Sequence, residues 1–165
     1  MDSSGTTKSG FGTILVYLDG SKEGEAVLPF VEILAQQFGS KIILLSVITV
    51  PSAVAVPGGR EIEPSTSAGA VDLEIADSYL SRIEELLCEK GFSTECVTVE
   101  GDIEESINQY ARAFGISLIA LSGRKRGLLD RLTSRNSFKD VLSKSGIPVF
   151  FFSPLNAPNP LTKKG

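Results

Sequence analysis

Five strand-like runs alternate with four stretches of helical periodicity, and this alternation constrains the fold more than any other feature of the chain. The runs are residues 12–19, 41–50, 92–100, 117–121 and 147–152. The helical stretches between them are 22–38, 71–90, 103–114 and 136–145. Strands that alternate with helices long enough for crossovers predict an α/β layer architecture, with an open parallel sheet, right-handed crossovers and helices on both faces. The run KIILLSVITV (41–50) is almost continuously apolar, as a parallel strand buried on both faces must be. At 165 residues the chain favours one domain with a sizeable core.

The helices carry their own punctuation. In 22–38, Val27, Phe30, Val31, Leu34 and Phe38 recur at helical spacing and Gly39-Ser40 closes the element. Pro29 falls inside that stretch, where it would cost a backbone hydrogen bond. In 71–90, Ala76, Tyr79, Leu80, Ile83, Leu86 and Leu87 share one face, and Gly91 ends the element. Residues 92–100 alternate as a half-exposed edge strand does. Asp102 is placed to cap the 103–114 helix, with Glu105 three residues on in a capping-box arrangement. Residues 51–70, with several Pro and Gly and no sustained period, read as a long functional or mobile loop. Residues 1–10 and 153–165 read as flexible ends around a domain spanning 11–152.

Composition removes whole classes of chemistry. There is no histidine, which excludes Ser-His-Asp and Cys-His apparatus, an HExxH zinc site and an imidazole base. Cys88 and Cys96 are too few for a zinc site and read as small reduced packing residues. A net charge of −4 and the absence of tryptophan argue against nucleic acid as a partner. The start, MDSSGTTKSG, has no apolar core of a secretory leader, and the longest apolar stretch falls short of a membrane span. The expectation is a cytoplasmic protein without membrane partners.

Open α/β sheets bind ligands at the carboxyl ends of their strands, where the winding reverses. The loops at those ends are Asp19-Gly20-Ser21, the segment from Val47 onward, Gly101-Asp102 and the segment from Ser122 to Arg135. The last is unusual. Residues 122–145 carry Arg124, Lys125, Arg126, Arg131, Arg135, Lys139 and Lys144 against Asp130 and Asp140, in a chain that is acidic elsewhere. This segment reads either as a solvated basic loop or as an anion site assisted by the N-terminus of the following helix.

Six pieces, in order, carry a family resemblance: ILVYLDGS (14–21), Leu28-Pro29, IILLSVI (42–48), VEGD (99–102), LIALSGRKRG (118–127) and IPVFFF (147–152). Together they resemble the universal stress protein family over about residues 11–152. The resemblance implies a Rossmann-like five-stranded parallel sheet of order 3-2-1-4-5. Many members bind ATP, and the adenine and ribose positions carried over from them are Leu18, Asp19 and Val47.

ATP-binding members lay the phosphates on a pattern of Gly, two residues, Gly, nine residues, Gly, then Ser or Thr. Here those positions hold Ser122, Lys125, Arg135 and Asn136, so all three glycines are missing. Glycines let backbone amides approach phosphate oxygens where a Cβ would intrude. The expectation is therefore a lost nucleotide site, as in a branch of the family without the glycine pattern. The alternative keeps ATP or AMP as a ligand, with Arg124, Lys125 and Arg135 gripping the anion by charge. Asp19 itself reads as well as a residue that hydrogen-bonds turn amides, and Val47 as core.

The resemblance also implies a homodimer paired through the last strand, Val149-Phe150-Phe151-Phe152, an apolar edge with nothing to block pairing. The resulting expectation is a non-catalytic stress-response or signalling module. It would need no cofactor and would bind an unidentified protein partner or a small anion. Weak ATP hydrolysis belongs to the alternative.

Overall fold

In a computed structural model, residues 10–49, 66–122, 144–152 and 154 are described, with the backbone alone at 66–71. The elements are β1 (Thr13–Tyr17), α1 (Lys22–Glu25), α2 (Leu28–Phe38), β2 (Lys41–Ile48), α3 (Thr66–Glu89), β3 (Thr94–Glu100), α4 (Ile103–Ala113), β4 (Leu118–Ser122) and β5 (Val149–Phe152). The expectations for residues 1–9, 50–65, 123–143, 153 and 155–165 lie outside the described residues. They include the flexible ends and the 136–145 helix up to residue 143.

The strands form one parallel sheet in the order β3-β2-β1-β4-β5, as the resemblance implied. β1 is central: Val16 sits beside Leu44 on one side and Ala120 on the other. Strand side chains alternate between two cores. Ile14, Val16, Leu18, Ile42 and Leu44 face Val27, which precedes α2, Val31 of α2, and Leu80, Ile83 and Leu87 of α3. Leu15, Tyr17, Ile43, Leu45 and Ile119 face Ile107 and Ala111 from α4. Each fully buried Leu or Ile contributes roughly 1.5–3 kcal/mol of transfer free energy, so the two cores fix the sheet's register.

Several element boundaries differ from the sequence expectation. The single helix over 22–38 is two helices, and Pro29 lies in the first turn of α2, not in a helix interior. Amides of a first turn have no intrahelical acceptor, so a proline there loses nothing. α3 begins at Thr66, so residues 66–70 are helical and not loop. Ala68 and Ala70 favour a helix without any amphipathic period to betray it. The flanking strands are shorter at their starts, because Gly91 and Gly146 turn the chain with φ of 90° and 63°.

Two side chains also depart from expectation. Leu86 is 51% exposed, since the inward row of α3 runs through Leu80, Ile83 and Leu87. Cys88 is exposed, whereas Cys96 packs against the core as expected. The Asp102 cap is present, its Oδ1 accepting the Glu104 and Glu105 N–H groups at 3.0 Å each. Glu105 accepts from Gln109 at 2.8 Å. Among the described residues no helix is long and apolar enough to cross a membrane.

Candidate functional site

The chain leaves β1 toward the α2–α3 face, whereas α4 delivers it to β4 across the other face. The carboxyl ends of β1 and β4 therefore mark the switch point, the place at which open α/β sheets take ligands in a crevice. Parallel pairing brings Leu18, Asp19, Val47 and Ser122 to this one edge of the sheet. Arg124, Lys125, Arg135 and Asn136 lie outside the described residues.

Leu18 is fully buried in the core under α2 and α3, and its N–H donates to the Leu45 carbonyl at 2.9 Å. Val47 is half-buried and packs on the opposite core. Asp19 is exposed and bound into its own turn: Oδ1 accepts the Ser21 N–H at 3.0 Å and the Ser21 O–H at 2.6 Å. The Ser21 Oγ in turn accepts the Gly24 N–H at 2.9 Å and caps α1. Gly20 supports the turn with a φ of 83°, which a Cβ would strain.

Ser122 ends β4 at 2% exposure, and its hydroxyl donates to the Glu23 carbonyl of α1 at 2.6 Å. The turn after β3 is formed as expected. Gly101 has a φ of 148° and its N–H donates to the Ile48 carbonyl at 3.0 Å.

Sequence reasoning missed three contributors. Gly24 leaves no room for a side chain, because a Cβ would stand 2.6 Å from Asp19 Oδ1. From α3, Tyr79 brings a buried hydroxyl with no hydrogen-bond partner. Burial first, and then the nearby Glu25 and Asp19 carboxylates, push its pKa well above the ordinary tyrosine value. Arg82 covers the Tyr79 ring at 5.7 Å and pairs with Glu25 at 3.4 Å. The only sequence trace of this cluster is the spacing Asp-Gly-Ser-x-x-Gly; Tyr79 reads merely as core.

The edge strand β5 carries half-buried side chains on both faces. The Phe30 ring of α2 lies 5.8 Å from Phe150 and 4.7 Å from Phe152, while Val149 and Phe151 face the other core. A separate concavity of about 370 Å³ runs along α4, where Asp102, Glu104 and Glu105 face Arg112 and Lys144. Among the described residues no cluster of His, Cys, Asp and Glu could hold a metal ion.

The family model described as the universal stress protein family matches residues 10–152. The chain belongs to the universal stress protein family. Solved structures carry the same fold. A universal stress protein family member from Burkholderia pseudomallei is 22% identical, with 86% of this chain and 96% of that chain covered and a TM-score of 0.60. The hypothetical protein MJ0577, whose biochemical function was assigned from its structure, is 23% identical over 89% of this chain and 99% of its own, at a TM-score of 0.69. A universal stress protein in complex with cAMP is 15% identical over 87% and 97%, at a TM-score of 0.58. No curated relative matches the chain significantly. At these identities the structures speak for the universal stress protein fold, and this chain's ligand must be argued from its own residues.

Proposed function

We propose that this universal stress protein is a non-catalytic stress-response module. It works as a homodimer joined through β5 and binds a protein partner or a small anionic ligand at the β1–β4 crevice. The observation that carries the reading is Ser122. At the position that the family resemblance gives to the first glycine of the phosphate-binding pattern stands a buried side chain whose hydroxyl is spent on the Glu23 carbonyl. Asp19 adds to it, since its Oδ1 is committed to Ser21.

The non-catalytic reading is supported by two features of the chain. The chain has no histidine, and the Oδ1 of Asp19, which follows β1, serves its own turn. The dimer reading is supported by the place of β5, an apolar strand at the end of the sheet order, where pairing with a second copy across a two-fold would continue the sheet. Partners would read whether the site at the ends of β1 and β4 is occupied.

A second reading keeps an adenine nucleotide, held by Arg124, Lys125 and Arg135, with weak hydrolysis as its extreme. It is favoured by the basic residues after β4 and by the similar structure in complex with cAMP.

Sedimentation velocity of the purified chain and of Phe152→Lys tests the assembly. The expected result is a dimer that Phe152→Lys converts to a folded monomer. A monomeric parent protein, or a variant that still dimerises, contradicts it. Calorimetric titration with ATP-magnesium tests the ligand half.

A further inference from the structure

We propose that the concavity along α4 binds a small zwitterion of the amino-acid class, its ammonium held by Glu104 and Asn108 and its carboxylate by Arg112. The site goes beyond the reading of the β1 and β4 ends and shares no residue with it. Its basis is Asn108. Among the buried residues of α4, Ile107 and Ala111 face the core, and Asn108 alone is polar. This asparagine lines the concavity of about 370 Å³, is 8% exposed, and its Oδ1 has no hydrogen-bond partner. A buried acceptor is costly to the fold unless something supplies it a donor.

The neighbours of Asn108 set the charge of that donor. Glu104 lies one turn before it and Arg112 one turn after it, so the three side chains form one row along the concavity. Glu104 is half-buried, and its carboxylate has no hydrogen bond or ion pair among the described residues. Two acceptors without donors on successive turns call for a cation that carries N–H groups. Asp102 and Glu105 add negative charge at this end, although one oxygen of each is engaged: Asp102 Oδ1 in the helix cap and Glu105 Oε1 with Gln109 at 2.8 Å. The far end is positive. There the Arg112 guanidinium donates to the Lys144 carbonyl, which holds it at the wall of the concavity and leaves further N–H groups for an anion. Glu104 and Arg112 are two turns apart, about 12 Å along the axis, and a hydrogen bond of about 2.9 Å at each end leaves about 6 Å between the ligand's charges. An ammonium and a carboxylate joined by a short chain, as in γ-aminobutyrate, meet that spacing. A diamine would set its second ammonium against Arg112.

Titration of the isotope-labelled full chain with γ-aminobutyrate, followed by amide chemical shifts, tests the site. The expected result is saturable movement of the Glu104, Asn108 and Arg112 amides, with butylamine and butyrate each about tenfold weaker or worse because each lacks one pole. No saturable movement at α4 overturns the proposal, as does butylamine binding as tightly as γ-aminobutyrate. Two variants separate a binding role from a structural one. Asn108→Leu should bind about tenfold more weakly, yet unfold at the same or a higher urea concentration, because Oδ1 makes no bond in the fold. Where Asn108→Leu is destabilised or does not fold, Glu104→Gln decides: it should be as stable as the parent and bind about tenfold more weakly. Parent-like binding by either variant overturns the site.

Discussion

Asp19 and Gly24 occupy a space that admits one carboxylate and no additional carbon: a Cβ at 24 would stand 2.6 Å from Asp19 Oδ1. The carboxylate can hold Ser21 by two hydrogen bonds because the fifth residue after it is glycine. Local hydrogen bonding thus dictates a residue type that helix propensity alone would disfavour, since alanine is the better helix former.

The pair makes a double-mutant prediction. Gly24→Ala alone displaces the Asp19 carboxylate and costs roughly 1 kcal/mol, the lost turn bonds outweighing the helix gain. In an Asp19→Ala background the same change becomes neutral or stabilising, because the carboxylate is gone and the remaining tight neighbour, Ser21 Oγ at 3.3 Å, can yield by a small rotation. Urea unfolding of the four proteins measures the coupling, and additive effects would show that the two residues act independently.

Asp102 caps α4 through two amides at 3.0 Å. Asp102→Ala should cost about 1 kcal/mol, and Asp102→Asn only a few tenths, because asparagine keeps the acceptor and loses the charge at the helix N-terminus. Equal losses for the two variants in urea unfolding would refute a capping role.

Burial, followed by the Glu84 carboxylate, pushes the Cys96 thiol up to about 12 from an ordinary 9.0. The unfolded thiol ionises at the lower value while the native one stays protonated. Cys96 therefore contributes stability that is complete below pH 9.0 and lost as pH rises toward about 12. Between pH 8 and about 10.5 the parent protein should lose more stability than Cys96→Ala. The difference is a fraction of the roughly 1.4 kcal/mol per pH unit that full suppression would give, since Cys96 is half-buried. Parallel pH profiles for the two proteins would contradict this assignment.

The sheet was legible because strands such as 41–48 are buried on both faces and must be apolar almost throughout. The family resemblance then supplied the strand order, which alternation alone leaves open. Pro29 misled because its helical neighbours hide the break after α1, and Ala-rich residues 66–70 concealed the start of α3 by having no apolar period. The crevice was legible in position but not in its wiring. Asp19 and Ser122 stood out as loop residues, whereas the Ser122–Glu23 bond joins residues 99 apart and leaves no local pattern. Tyr79 lies at core spacing on α3, so nothing in the sequence distinguishes its buried hydroxyl from an ordinary aromatic contact.

Isothermal titration of the purified protein with ATP-magnesium, with AMP alongside, tests most directly whether the crevice has given up its nucleotide. Heats at the level of dilution for both ligands are the predicted result, because the Ser122 hydroxyl already donates to the Glu23 carbonyl and Asp19 Oδ1 already holds Ser21. Micromolar binding of ATP that weakens with added salt, and much weaker binding of AMP, would contradict it and establish that basic side chains have replaced the glycine pattern.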